Sequence, residues 1–379
     1  MTAAGLIFAN VHDDSISELT SMRTMASVPF GARYRLIDFP LSNMVNSGIS
    51  TIGLVTSYNY RSLLDHIGNG KDWDLARRSA GIKILPPNIT AYDTRSEDSA
   101  SFSRLGSLTA SSNFISRCGA DVIVLSDCDT ICNIDLSAVI GAHLENRADL
   151  TVVTKHFSDD HNHRVMSRNS VISSDASGRI TEVTAFSPYE WRGGDISTNI
   201  IVADRRYLLS QISAAATRGY TSFFRDVMAR NASRDRFFVY RFSGYYSFVN
   251  SISGYYESSM DLLDRKIRGE LFGNAQRPIL TKVRNSAPAI YREGASVRNS
   301  VIADGCLFEG EVENSVIFRG VKIGRGAKVR NSIVMQDTII EDNASLDCVI
   351  IDKNSVVRDN VKIAGHPAMP FFIGKGIML

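Results

Sequence analysis

Cysteine is scarce in this 379-residue chain: five residues, Cys118, Cys128, Cys132, Cys306 and Cys348, an odd count at scattered positions. Cys128 and Cys132 stand too far apart for a CxxC knuckle, and no second pair completes a zinc site. The cysteines read as buried small residues of a reducing compartment. Charge of one sign is equally lacking, since 42 basic residues face 40 acidic ones for a net +2. That balance gives no electrostatic case for binding nucleic acid or a membrane surface. No apolar run approaches the roughly 18 to 20 residues needed to span a bilayer. The segment Met1–Asp14 has no basic n-region and meets acid early, so it does not read as a signal peptide, and a cytoplasmic location is expected.

What is present falls into two halves of different period. Strand-like apolar runs recur at Gly5–Ala9, Ser50–Thr56, Asp121–Ser126, Leu150–Lys155, Ile196–Ala203 and Arg236–Phe242. Helix-like patterns lie between them at Tyr34–Ser47, Arg61–Ile67, Leu136–Glu145 and Tyr207–Ala215. The alternation predicts βαβ units, a mostly parallel sheet covered on both faces, and a ligand site at the carboxyl ends of the strands. The apolar Leu36–Val45 stretch reads as a buried helix that also offers part of a subunit interface. Residues 1–271 form the expected α/β domain and residues 272–294, with Gly273, Pro278 and Pro288, the connection.

From residue 295 to 379 the repeat length becomes six. Steps of six from Val321 reach Ala327, Ile333, Ile339, Ser345, Ile351, Val357 and Ile363, all aliphatic or small, with turn residues such as Asp342-Asn343 and Asp359-Asn360 between them. This predicts a parallel β-helix in which Ile333, Ile339, Ile351 and Val357 share one buried column. Hexapeptide β-helices often serve acyltransferases, which need a general base. No histidine occurs between Ala295 and Ile363, so this one reads as a structural and oligomerising module.

The segment Val28–Ser50, VPFGARYRLIDFPLSNMVNSGIS, closely resembles the VPFGGKYRLIDFPLSN…NSGI signature of glucose-1-phosphate adenylyltransferases (ADP-glucose pyrophosphorylases). The likeness continues through His66-Ile67-Gly68, Trp73-Asp74-Leu75, Val122–Asp135 and Phe242–Met260 and includes the β-helix. It implies a Rossmann-like, GT-A-like nucleotidyltransferase domain, a left-handed β-helix, and tetramers regulated by metabolites. The implied reaction joins ATP and glucose 1-phosphate into ADP-glucose and diphosphate. Its catalysis rests on positioning and charge neutralisation by amides, cations and Mg²⁺.

Held against that pattern, the chemistry-bearing positions are changed. The glycine-rich GGxGxRL turn is replaced at Asn10, Val11, His12, Asp13, Ser15 and Ile16. Val11 blocks backbone approach to phosphate, Asp13 and Asp14 are expected to set negative charge against a tetra-anion, and Ser15 holds the arginine position. The phosphate-contacting lysine position is Met25, the sugar-phosphate lysine position is Phe186, the GTADA aspartate position is Thr109, and the second metal aspartate position is Phe248. Asp129, or its neighbour Asp127, remains as a vestige of the first. Five losses at one site within a legible scaffold resemble the non-catalytic, GlgD-type regulatory subunit. No cofactor or metal is therefore expected here, with Mg²⁺ and ATP confined to a catalytic partner in a hetero-oligomer, most simply a tetramer; a homo-oligomer of this chain alone is the other assembly expected. The alternatives are an active sugar nucleotidyltransferase with a rebuilt site and a stand-alone metabolite-binding scaffold. Arg23, Arg33 and Arg35 are the candidates for binding an anionic effector. The run Asp159, Asp160, His161 and His163 reads as solvated loop, and Arg225-Asp226 as a surface pair.

Overall fold

The computed structural model describes residues 2–78, 80–86, 103–158, 170–187 and 189–379; the Asp159–His163 cluster lies outside them. Nine strands build the first sheet: β1 (Ala3–Phe8), β2 (Thr51–Val55), β3 (Gly81–Leu85), β4 (Val122–Asp127), β5 (Leu150–Phe157), β6 (Ser170–Ser174), β7 (Ile180–Ala185), β8 (Gly194–Asp204) and β9 (Phe237–Arg241). Their order is β7-β6-β8-β4-β1-β2-β3, with β5 on β8 and β9 on β5. β4 is buried along its whole length, as a strand covered on both faces should be.

The sheet is mixed, not mostly parallel. β1 pairs in parallel with β2 and β4, β2 with β3, and β9 with β5. β8 instead runs antiparallel to β4, β5 and β6, and β6 to β7. Strand direction is not encoded in an apolar run. The predicted helices stand at Asp38–Asn46, Arg61–Ile67, Leu136–Glu145 and Arg205–Arg218. Asp204 caps the last by accepting from Tyr207 N at 2.8 Å, and Gly219, at φ 66°, ends it. In the helix Asp38–Asn46, residues Asp38–Met44 are all buried inside this chain, so that burial is intramolecular and not that of a subunit interface.

The β-helix has three parallel sheets of five strands, and its first strand, Ile290–Tyr291, precedes residue 295. The regular coils advance 17 residues, not 18, so neighbouring faces are spaced six, six and five; one early coil, Ser296 to Glu311, advances 15, and the last, Val349 to Phe371, advances 22. The strict six-residue step therefore slips by one per coil. The interior columns are Phe308, Ile323, Ile340 and Val357; Val312, Val329, Leu346 and Ile363; and Ile317, Val334, Ile351 and Ile373. Of the four residues expected in one column, Ile351 and Val357 are interior but on different faces. Ile339 is half-buried, and Ile333 points outward into a core shared with the first domain. Left-handed backbone turns the corners at the same 17-residue spacing, at Asp337 and Asn354, Asn343 and Asn360, and Asn314, Asn331 and Cys348. Asn and Asp tolerate that conformation better than other side chains.

The shared core holds Met25, Phe30, Phe39 and Tyr255 against Val316, Phe318, Ile333, Met335 and Ile350 of the β-helix. Arg23 crosses the same boundary: its two terminal nitrogens donate to Asp352 at 3.0 and 2.6 Å, and both side chains are buried. It is a clamp between the halves, not a free cation for an effector.

Candidate functional site

The carboxyl ends of β1 and β4 meet where a nucleotide would sit. β1 runs out at Phe8 and the chain turns through Asn10–His12 into one 3₁₀ turn, Asp13–Ile16. Asp13 does not face outward. Its carboxylate accepts from Met25 N at 2.7 Å and Asn10 Nδ2 at 2.6 Å, and burial pushes its pKa up to about 7. The expected repulsion of phosphate by Asp13 is thus corrected: only Asp14 is exposed. Val11 packs beside the sheet core, and Ser15 is half-buried.

His12 reaches across to the end of β4. Its Nδ1 lies 2.5 Å from Asp129 Oδ2 and 3.7 Å from Asp127 Oδ2. Arg104, on the helix Arg104–Ala110, pairs with Asp127 Oδ2 and lies 5.7 Å from the Phe8 ring and 5.2 Å from the Phe224 ring. Burial works to lower the His12 pKa, but Asp129, by charge and hydrogen bond, and Asp127 outweigh it, and the net shift is upward. Burial raises the Asp127 pKa against the opposing Arg104 and His12. The Oδ2 atom of each carboxylate is thus already paired within this chain.

The remaining replaced positions are filled by packing. Phe248 pairs with Thr130 in a short antiparallel ladder and stacks on Tyr246, centroids 5.9 Å apart. Phe186 meets Trp191 edge-on at 5.3 Å, and Met25 is fully buried. Thr109 is exposed, and its hydroxyl donates back to Leu105 O at 2.9 Å. The adjoining hollow is lined by Phe157, Tyr246, Phe248, Asn250, Ser251 and Glu257 among others, and none of its described lining residues is a cation. These residues do not fit Mg²⁺ with a triphosphate: that ion prefers octahedral oxygen ligands, and the second carboxylate is an aromatic ring in the core.

A second cleft lies between the halves and is strongly basic. Arg33, Arg35, Lys282, Arg284, Arg319 and Lys353 line it with His66 and Gln336, and no described lining residue is acidic. Arg35 donates through one terminal nitrogen to Ser62 O and Oγ at 2.6 and 2.8 Å; Asp38 takes its backbone N–H instead, at 3.0 Å, and pairs with His66 at 2.6 Å. Arg33 is exposed over the Tyr34 ring. Burial, reinforced by Arg35 and Arg23, pulls the Lys353 pKa down to about 7. Two of the three arginines expected to bind an anion thus meet in one cleft, and the third, Arg23, does not. Sequence reasoning missed Lys282, Arg284, Arg319 and Lys353, whose only linear signal was their basic character beside corner or linker residues. It also missed the partnership of His12 with residues 115 and 117 positions away.

Fold and site together define a nucleotidyltransferase scaffold joined to a hexapeptide β-helix. The Nucleotidyl transferase family model matches residues 15–186, and the GlmU-like C-terminal hexapeptide model residues 287–369. The chain is 31% identical to glycogen biosynthesis protein GlgD of Bacillus subtilis, over 99% of this chain and 96% of that one. It is 37% identical to the GlgD protein of Geobacillus stearothermophilus over 86% and 82% of the two chains, and 31% identical over the same shares to the glucose-1-phosphate adenylyltransferase of that organism. The chain belongs to the family of GlgD proteins and glucose-1-phosphate adenylyltransferases.

Proposed function

We propose that this chain is a non-catalytic, regulatory subunit of a glucose-1-phosphate adenylyltransferase in glycogen biosynthesis, acting by association with a catalytic subunit. The observation that carries the reading is the filling of the lost site. Met25, Phe186 and Phe248 are buried in apolar cores, while His12 and Arg104 occupy the surviving carboxylates. A rebuilt active site would leave these positions open to substrate or place a new cation or carboxylate beside them. Phe186 and Phe248 instead meet the aromatic rings of Trp191 and Tyr246.

Two further features support regulation. The basic cleft spans both halves, so an anion bound by Arg33, Arg35 and Lys353 would couple the domain to the β-helix. Apolar side chains are exposed at both ends of the β-helix, Ile290 and Tyr291 on the first coil and Met369, Phe371, Ile377 and Met378 at the last. Exposed apolar patches of this kind mark association surfaces. A subunit without turnover can still raise its partner's activity when its contacts favour the partner's active state. The test is ADP-glucose synthesis from ATP, glucose 1-phosphate and Mg²⁺ by the purified chain. Little or no turnover is expected, and a rate within about tenfold of the enzyme median of about 10 per second would overturn the proposal.

A further inference from the structure

The cluster at the ends of β1 and β4 has a composition of its own, independent of any role in regulation. We propose that His12, Asp127 and Asp129 bind one divalent transition-metal ion of the Zn²⁺ and Co²⁺ class, at a site that needs no nucleotide. One donor atom from each of the three lies within 4.8 Å of the others. Donors around such an ion sit about 2.0 to 2.2 Å from it, hence roughly 3 to 3.5 Å from one another. His12 Nδ1 stands 2.5 Å from one carboxylate and 3.7 Å from the other, so the ion enters with shifts of about 1 Å and replaces a hydrogen bond.

A second observation points to a missing partner. Asp127 Oδ1 and Asp129 Oδ1 are fully buried with no hydrogen-bond partner, on residues 1% and 4% exposed. Orphaned carboxylate oxygens in a protein interior carry the full cost of lost solvation, and a cation bound by these carboxylates offsets it. The surroundings are built and held in place. Asp13, bonded to Met25 N and Asn10, fixes the turn that carries His12, and Arg104, flanked by Phe8 and Phe224, orients Asp127 as an outer-shell partner. The His12 side chain is 18% exposed, which gives an ion a way in. One imidazole with two carboxylates suits Zn²⁺ or Co²⁺, whereas Mg²⁺ favours an all-oxygen octahedron.

The experiment uses the full chain, stripped with a chelator and titrated with Zn²⁺ by calorimetry and with Co²⁺ by visible absorption. One equivalent should bind with a dissociation constant in the micromolar range or below, and Zn²⁺ should raise Tm. His12→Gln and Asp129→Asn should each weaken binding at least tenfold, while a His161→Ala/His163→Ala variant binds as the parent does. Circular dichroism of the metal-free variants separates lost ligation from lost folding, and if His12→Gln does not fold, Asp129→Asn decides. Absence of a stoichiometric ion in the parent chain overturns the proposal. So does affinity that survives in folded His12→Gln or Asp129→Asn, or that disappears with His161 and His163.

Discussion

Replacing Arg23 by methionine should be among the most damaging single changes in this protein outside its hydrophobic cores. Arg23 and Asp352 form a two-bond ion pair between the domain and the β-helix, with side chains 5% and 3% exposed. In Arg23→Met the Asp352 carboxylate stays buried and keeps the Lys353 backbone N–H, which donates to it at 2.7 Å. Breaking one partner of a buried pair costs about 3 to 5 kcal/mol, against about 0 to 1 for an exposed pair. At about 1.4 kcal/mol per decade, that lowers the folding equilibrium by roughly two to three and a half orders of magnitude. Half-buried Lys353 sits nearby as a substitute cation, which places the expected value near the lower bound. The double variant Arg23→Met/Asp352→Leu removes both charges and should recover most of the loss, since apolar replacement of a whole buried pair is often close to neutral. Urea denaturation followed by fluorescence and by circular dichroism supplies the numbers for a double-mutant cycle. A loss below about 1 kcal/mol in Arg23→Met, or additive effects in the double variant, would refute the reading of Arg23 as the interdomain clamp.

The 17-residue coil makes its own prediction: Ile351→Ala, in an interior column, should cost about 2 to 5 kcal/mol in thermal denaturation, whereas Ser345→Ala, outside the column that holds Leu346, should stay within about 0.5 kcal/mol. Sulfate, whose charge is constant over this range, should bind the basic cleft more weakly as pH rises through about 7, because Lys353 loses its charge there; calorimetry of Lys353→Met should show weaker binding with a smaller pH dependence. The linked effect on stability has a definite sign. A lysine whose folded-state pKa is depressed to about 7 binds its proton less than the unfolded chain does up to about 10.4, so in the absence of anion its contribution to stability rises with pH over that window. Phe248→Asp should lower stability by burying a charge beside Tyr246 and should not restore ADP-glucose synthesis, since the missing groups act as a unit.

Much of the architecture was legible because its signals are local. The apolar runs that became β1, β2, β4, β5, β8 and β9 are dense enough to read directly, and the helix limits at Arg61–Ile67 and Leu136–Glu145 coincide with the pattern. β3, β6 and β7 escaped because they carry exposed residues that break the apolar run, as in Ile180–Ala185. The hexad repeat was visible, but its register was not, since a slip of one residue per coil accumulates beneath a pattern that still looks aliphatic at most steps. At the site, each lost residue could be read from a linear motif. What replaced it could not, because Phe248 on Tyr246, Arg104 on Asp127 and His12 on Asp129 are tertiary contacts. The basic cleft shows the same limit: its cations come from residues 33 to 353 and converge only when the β-helix packs on the domain.

The central claim, that selection has kept association where it has abandoned turnover, is tested most directly by mixing. This chain and a catalytic glucose-1-phosphate adenylyltransferase subunit are combined, resolved by size exclusion, and the mixture is assayed for ADP-glucose formation with and without inorganic phosphate. The account predicts co-elution as a hetero-oligomer and a higher kcat or a changed effector response relative to the catalytic subunit alone. Separate elution with unchanged kinetics would contradict it.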